Sequence, residues 1–193
     1  SALDSKIRVR LRAEIKQLQA DLGITTLYVT HDQEEALSIS DRVVIMNEGR
    51  IEQIDRPIEV YKNPRSRYVA DFVGTTNFFD GHLEGDVVRG EGFALRVSHP
   101  NGLGSGPVTA AIRPEKIEIL KSDETGGSVC GNILEGTLMV VVFLGLTVRL
   151  VVRAAGRDVI VDSLEKSYEE LGAERGDRLR LYLPPDAVRV YRR

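Results

Sequence analysis

The sequence is short of several things, and each shortage excludes a class of protein. It has no basic excess: 26 Lys and Arg stand against 29 Asp and Glu, a net charge of -3. The balance holds along the chain, with 11 basic and 12 acidic residues through position 75 and 15 and 17 after it. A binder of nucleic-acid phosphates needs a positive stripe, so this function is disfavoured. One cysteine, Cys130, excludes an intrachain disulfide, fits a reducing compartment and reads as a small buried hydrophobe rather than a reactive thiol. The longest apolar stretch, Leu138 to Leu146, is far short of the roughly 20 residues that span a bilayer and reads as a buried strand. No basic segment followed by an apolar one opens the chain, so no signal peptide is expected. His31, His82 and His99 lack the spacing of metal ligands, Gly90-x-Gly92 is followed by Leu95 where a dinucleotide fingerprint needs a small residue, and no G-x-S-x-G elbow occurs.

What is present is an ordinary globular composition, 42% hydrophobic and 28% charged, enough for one large or two small domains. Ile7, Leu11, Ile15, Leu18 and Leu22 recur at helical steps, and Gly23 supplies a stop. Thr25 to Thr30 is a β-type run and predicts a strand. Asp32 with Glu35 has the form of a capping box for a short helix through Ser40. A second strand is expected at Val43 to Met46, turned at Asn47-Glu48-Gly49 into Arg50 to Ile54, with helical pieces at Ile58 to Tyr61 and Ser66 to Phe72. This alternation is α/β grammar, with strands buried on both faces.

From about Asn77 the pattern changes to period two. Strands are expected at Phe78 to Leu83, Phe93 to Val97, Val108 to Ile112, Lys116 to Leu120, Ile133 to Phe143, Val148 to Val152, Val159 to Val161, Leu179 to Leu183 and Val188 to Tyr191. Stretches 99–107 and 122–128 read as loops. No internal repeat is evident. Short strands divided by Gly, Pro and Asn indicate a small barrel or sandwich. The arginines at 149, 153 and 157 and the pair Glu34-Glu35 read as solvated faces.

The strongest local signal is Tyr28-Val29-Thr30-His31-Asp32-Gln33-Glu34-Glu35-Ala36. It places a histidine between a strand end and a helix start, where ligands and anions gather in α/β proteins. Alone, this residue fits a surface or hydrogen-bonded histidine as well as a ligand contact. Together with Ser1-Ala2-Leu3-Asp4, Asp41-Arg42, Asn47-Glu48-Gly49-Arg50-Ile51, Tyr61-x-Asn63-Pro64, Val69-Ala70-x-Phe72 and Gly74-x-x-Asn77, the run resembles the second half of an ATP-binding-cassette (ABC) ATPase from a bacterial binding-protein-dependent importer. Ile112-Arg113-Pro114-Glu115, Phe143-Leu144-Gly145 and Pro185-x-x-Ala187-Val188 are similar to the accessory oligomer-binding-type (OB-like, TOBE) barrel of the sugar, polyamine, iron(III) and sulfate importers.

The resemblance implies an α/β fragment of the ATPase domain over 1–76, followed by an all-β OB-like barrel over 77–193. Ser1, Ala2, Leu3 and Asp4 match the D-loop at the nucleotide-sandwich dimer interface, although Asp4 equally fits a helix cap. His31 matches the switch histidine that contacts the γ-phosphate. Gln33 and Glu35 are expected only to support the helix start. The phosphate loop, the glutamine loop, the signature sequence and the Asp-Glu pair that holds Mg²⁺ do not occur, and no Gly is followed by Lys. With no initiating Met, the expectation is a fragment. ATP and Mg²⁺ would serve the full-length protein, whereas this chain alone would neither bind ATP tightly nor hydrolyse it.

The resemblance further implies a homodimer on the cytoplasmic face of the bacterial cell membrane, joined to permease subunits and through them to an extracytoplasmic solute-binding protein. Met139 to Leu146 reads either as a dimer seam or as barrel core. Arg113 and Glu115 read as a strand bend or hinge, or as ligands of the barrel. The solute is expected to be iron(III) or a polyamine, with sugar and sulfate open. A free-standing regulatory barrel that senses a small anion or metabolite is the alternative function.

Overall fold

The computed structural model describes residues 5–100, 102–120 and 132–193, with side chains from Ile7 onward. Ser1 to Asp4, the loop expected at 122–128 and Cys130 lie outside the described residues. The chain divides into two compact units, Ser1–Gly74 and Thr75–Arg193.

In the first unit the helical spacing yields α1 (Ser5–Leu22), which ends at left-handed Gly23, φ +61°, whose N–H donates to the Gln19 carbonyl at 3.1 Å. The expected strand at Thr25 to Thr30 does not form. This segment carries no regular secondary structure, and Leu27 and Val29 are each 88% exposed. A β-prone run becomes a strand only against another strand, and the strands described in this unit pair with each other. They are β1 (Val43–Asn47) and β2 (Arg50–Asp55), antiparallel around Glu48-Gly49, both at positive φ as a two-residue hairpin of this hand demands.

Helix α2 (Gln33–Ile39) precedes the hairpin; α3 (Pro57–Lys62), with Pro at its start, and α4 (Arg67–Phe72), capped by the Ser66 hydroxyl, follow it. Val43, Ile45, Val60, Val69 and Val73 form their common core. Buried Gln53 holds the α3–α4 link, donating to the Asn63 carbonyl at 3.2 Å and accepting from the Arg65 N–H at 2.9 Å.

The second unit holds β3 (Asn77–Glu84), β4 (Val87–Gly90), β5 (Phe93–Arg96), β6 (Gly106–Ile112), β7 (Glu118–Leu120), β8 (Asn132–Phe143), β9 (Thr147–Ala154), β10 (Arg157–Leu164), α5 (Glu165–Leu171), β11 (Arg178–Leu183) and β12 (Arg189–Arg192). Strand β4 and helix α5 were not anticipated from the sequence. The strands form two five-stranded sheets in the orders β12-β6-β3-β4-β5 and β10-β9-β8-β11-β7.

These orders reveal a duplication that the sequence alone did not show. Asn77-Phe78-Phe79-Asp80-Gly81-His82-Leu83 matches Asn132-Ile133-Leu134-Glu135-Gly136-Thr137-Leu138, and Val87-Val88-Arg89-Gly90 matches Val151-Val152-Arg153-Ala154. The registers agree as well: Asn77 faces Ile112 as Asn132 faces Leu183, and Gly90 faces Phe93 as Ala154 faces Arg157. Gly81 and Gly136 are equivalent for one reason. A Cβ on either would strike the carbonyl oxygen of Arg89 or Arg153 on the neighbouring strand. The last strand of each half pairs in the other half's sheet, β7 with β11 and β12 with β6.

Two buried asparagines join the sheets. Asn77 donates to the Ile160 carbonyl at 2.7 Å and accepts from its N–H at 2.8 Å. Asn132 bonds the N–H and carbonyl of Arg96 in the same way and also donates to the Leu183 carbonyl at 2.9 Å. Ile160 and Arg96 lie on β10 and β5, each one of the two edge strands of its sheet, so each amide stands in for a missing neighbour's peptide group. Between the sheets lie Phe79, Leu83, Leu95, Leu138, Leu150 and Leu181.

Arg157, expected on a solvated face, instead stacks over Phe79 and Phe93 at 5.3 and 5.2 Å and donates to the Phe78 carbonyl, with its Nε buried. Arg149 and Arg153 do form cross-strand pairs with Asp162 and Asp158.

Asn132→Ala removes the partner of an edge N–H and of two carbonyls, the Leu183 carbonyl among them in a buried position. It is expected to lower stability to urea by about 3 kcal/mol. A midpoint unchanged from the parent would show that the amide does not close the edge.

Candidate functional site

The site is built around residues 30–35. His31 is exposed in a bend between the irregular segment 24–30 and α2, and both of its neighbours are tethered. The Thr30 hydroxyl accepts from the Asp32 N–H at 2.9 Å and donates to Glu35 Oε2 at 2.8 Å. Asp32 caps α2, its Oδ1 accepting from the N–H groups of Glu34 at 2.9 Å and Glu35 at 3.2 Å.

The capping box expected of Asp32 and Glu35 is therefore half formed. Thr30, rather than Glu35, takes the Asp32 amide. The Glu35 carboxylate turns instead toward Thr30, toward the Tyr28 hydroxyl at 3.3 Å and toward Arg12.

Arg12, on α1, is the anchor, with its side chain only 13% exposed. It lies 3.2 Å from Asp32 Oδ2 and 3.5 Å from Glu35 Oε1. Glu35 is thus a partly buried ion-pair member rather than part of a solvated face. The Glu35 and Glu34 amides and Arg12 hold the Asp32 carboxyl below its ordinary range against a desolvation cost. The Thr30 hydroxyl and Arg12 do the same for Glu35.

On the other flank Gln33, the first residue of α2, accepts at Oε1 from the Gly74 N–H at 2.9 Å. Between α1 and this loop lies a cleft of about 480 Å³, lined by Arg8, Val9, Arg12 and residues 31–34. Neither Arg12 nor Gln33 was singled out for a contact of this kind in the sequence. Their partners lie 20 and 41 positions away, beyond any local pattern.

The other sequence candidates are not brought to this loop. Ser1, Ala2, Leu3 and Asp4 lie outside the described residues. Arg113 and Glu115 are in the second unit, where Arg113 donates to the Thr75 carbonyl at 3.1 Å and to the Thr76 hydroxyl, ahead of a 3₁₀ turn at Pro114–Lys116. Buried Tyr191 has its hydroxyl pKa pushed up to about 12 by desolvation, against the lowering influence of Arg113 and Arg189. Among the described residues no group of three or more His, Cys, Asp or Glu side chains is placed to hold a metal ion.

Because the Asp32 and Glu35 pKa values are lower folded than unfolded, their stabilisation is complete above about pH 4, the ordinary carboxylate range, and is lost as pH falls through the depressed values. Amide signals of α2 are expected to collapse at lower pH than an unpaired carboxylate would dictate. In Asp32→Asn the dependence should flatten. An α2 that is equally ordered at pH 2 and pH 6 would contradict this cap.

The TOBE domain family matches residues 110–190. The "Spermidine/putrescine import ATP-binding protein PotA" of Rubrobacter xylanophilus is 37% identical over 187 residues, 91% of this chain and 47% of that protein. The "Fe(3+) ions import ATP-binding protein FbpC 2" of Rhizobium meliloti is 36% identical over 207 residues, 99% of this chain and 51% of that protein. The "Sulfate/thiosulfate import ATP-binding protein CysA" of Burkholderia mallei is 36% identical, covering 98% of this chain and 52% of that protein. The chain thus spans about half the length of these relatives. Among solved structures, the cytoplasmic molybdate-binding protein ModG shares the fold, with a TM-score of 0.52 at 17% identity over 68% of this chain and 99% of that one. The chain belongs to the family of ATP-binding subunits of ABC importers, of which it represents the part that carries the TOBE domain, an OB-like β-barrel.

Proposed function

We propose that this chain is part of the ATP-hydrolysing subunit of a bacterial importer and that His31 is its switch histidine. The observation that carries the reading is an exposed imidazole whose two neighbours, Thr30 and Asp32, are bonded to each other and held by Glu35 and Arg12, in a chain whose relatives are named import ATP-binding proteins. Phosphoryl transfer is mainly positioning and charge stabilisation, and a neutral imidazole can donate one hydrogen bond to a terminal phosphate oxygen.

Asp4 and the residues before it would meet the partner's nucleotide in a sandwich dimer. ATP would be the substrate and Mg²⁺ the metal, which in such sites neutralises charge between the phosphates. Taken alone, the 193 residues lack a phosphate loop and are expected to show no Mg-ATP turnover above a His31→Ala control. In a subunit that carries the loop, His31→Ala is expected to lower kcat by about 10²-fold. Equal kcat values in that comparison would remove His31 from the mechanism.

The partners proposed are permease subunits in the membrane and, through them, a solute-binding protein, with this subunit on the cytoplasmic face. No helix among the described residues is long and apolar enough to cross a membrane. Relatives named for polyamine, iron(III) and sulfate match almost equally, at 36–37% identity, so this part of the subunit carries little of the choice of solute. A free-standing anion-sensing barrel is the second reading. The fold shared with ModG favours it, and calorimetric titration with molybdate or sulfate tests it.

A homodimer is proposed through the β8–β9 hairpin. Leu83 and Val87 are four positions apart, whereas their equivalents Leu138 and Val151 are thirteen apart, so the second hairpin is nine residues longer than the duplication requires. Its tip corrects the expectation of a buried strand: Val140, Val142, Phe143, Leu144 and Leu146 are exposed, Phe143 by 68% and Leu146 by 88%. An uncharged edge of this kind normally has a cover. Sedimentation should show a dimer that Phe143→Asp with Leu144→Asp converts to a monomer. A strict monomer at high concentration in the parent chain would refute the seam.

A further inference from the structure

The tether on the far side of His31 leads to the boundary between the two units. Gly74 is the last residue of the first unit and sits at φ +76°, a left-handed conformation that side chains disfavour. Its N–H is held by the Gln33 side chain, 41 positions earlier in the sequence. On the other side of the boundary the Thr75 carbonyl and the Thr76 hydroxyl are both held by Arg113. The chain therefore crosses from one unit to the next between two fixed points, with Gly74 as the residue of widest backbone freedom between them.

Gln33 is also the residue after Asp32, whose amide and carboxylate set the His31 bend. A change at Gly74 that tilts the Val73–Gly74 peptide plane must either break the hydrogen bond to Gln33 or displace the first turn of α2. We propose that Gln33 is a positioning residue that couples the conformation of the Gly74 boundary to the placement of His31.

The path is short and continuous: Gly74 N–H, Gln33 side chain, Gln33 backbone, Asp32 cap, His31. It depends on an acceptor at position 33 and not on the charge or bulk of that residue. Gln33→Glu keeps a carboxylate oxygen for the Gly74 amide, whereas Gln33→Leu keeps the size and removes the acceptor. The consequence for ATP hydrolysis rests on the switch-histidine reading given above; the coupling itself does not.

The test is a double-mutant cycle read by amide hydrogen exchange and by the His31 ring resonances in the 193-residue chain. Gly74→Ala disturbs the left-handed residue, and Gly74→Asn, which tolerates that conformation, serves as its mild counterpart. In the parent background Gly74→Ala is expected to speed exchange of the Asp32 amide about fivefold and to shift the His31 ring signals, with Gly74→Asn doing less. In the Gln33→Leu background the same Gly74 change should add nothing, and in Gln33→Glu the response should return. Exchange rates of β1 and β2 amides report whether the variants keep the first unit folded. A response at Asp32 and His31 that is equal in the parent and in the Gln33→Leu background would overturn the proposal, because the signal would then travel by another route. So would Gln33→Leu leaving both probes unchanged. A normal cycle with unaltered kcat in His31→Ala would leave the coupling standing and remove only the catalytic reading.

Discussion

Every other feature of the second unit depends on closing two sheet edges without another strand. A β-edge exposes backbone groups that must find partners, and here two asparagine amides supply them, Asn77 at Ile160 and Asn132 at Arg96. Both amides sit at the first residue of the central strand of the opposite sheet. The geometry fixes how far apart the sheets stand, and the leucines and phenylalanines between them fill that space. Even the unexpected placement of Arg157 follows from it. It occupies the position equivalent to Phe93, and in the joined barrel the two equivalent residues stack on each other.

Strand positions were legible wherever one face is buried and alternation survives. β9 reads Val148, Leu150 and Val152 inward with Arg149 and Arg153 outward, and the structure keeps that order. The β1–β2 turn was legible because Glu48-Gly49 must adopt positive φ. The strand expected at Thr25 to Thr30 failed for a physical reason: apolar and β-branched composition declares that a segment prefers an extended form, yet only a neighbouring strand satisfies its N–H and C=O groups. The duplication stayed hidden because few identities survive between the halves. Asn, Gly and Leu remain at fixed offsets, and each answers to a backbone constraint rather than to side-chain chemistry.

At the candidate site the sequence exposed the histidine and concealed what holds it. His31 stands in a recognisable string, and Asp32 is a cap that local spacing predicts. The residues that immobilise the loop come from elsewhere, Arg12 from the preceding helix and the Gly74 amide from the end of the unit. Long-range pairs leave no periodic trace in a single sequence. The Asp32–Glu35 pattern was even misleading in its detail, since the carboxylate of Glu35 serves Thr30 and Arg12 instead of the cap amide. What these contacts fix is the backbone on either side of His31, through Thr30 and Asp32.

The exchange of final strands between the two halves governs the order in which the barrel can form. Strand β6 lacks one neighbour until β12 arrives, and β12 (Arg189–Arg192) follows every other strand of both halves. The first half therefore cannot complete its sheet while the second half is still being synthesised. The strands described in the first unit, β1 and β2, are neighbours in sequence and pair with each other. On a ribosome the barrel would wait, with unpaired edges shielded or at risk, until β12 has emerged, so that its closure is a late event set by contacts of long sequence separation.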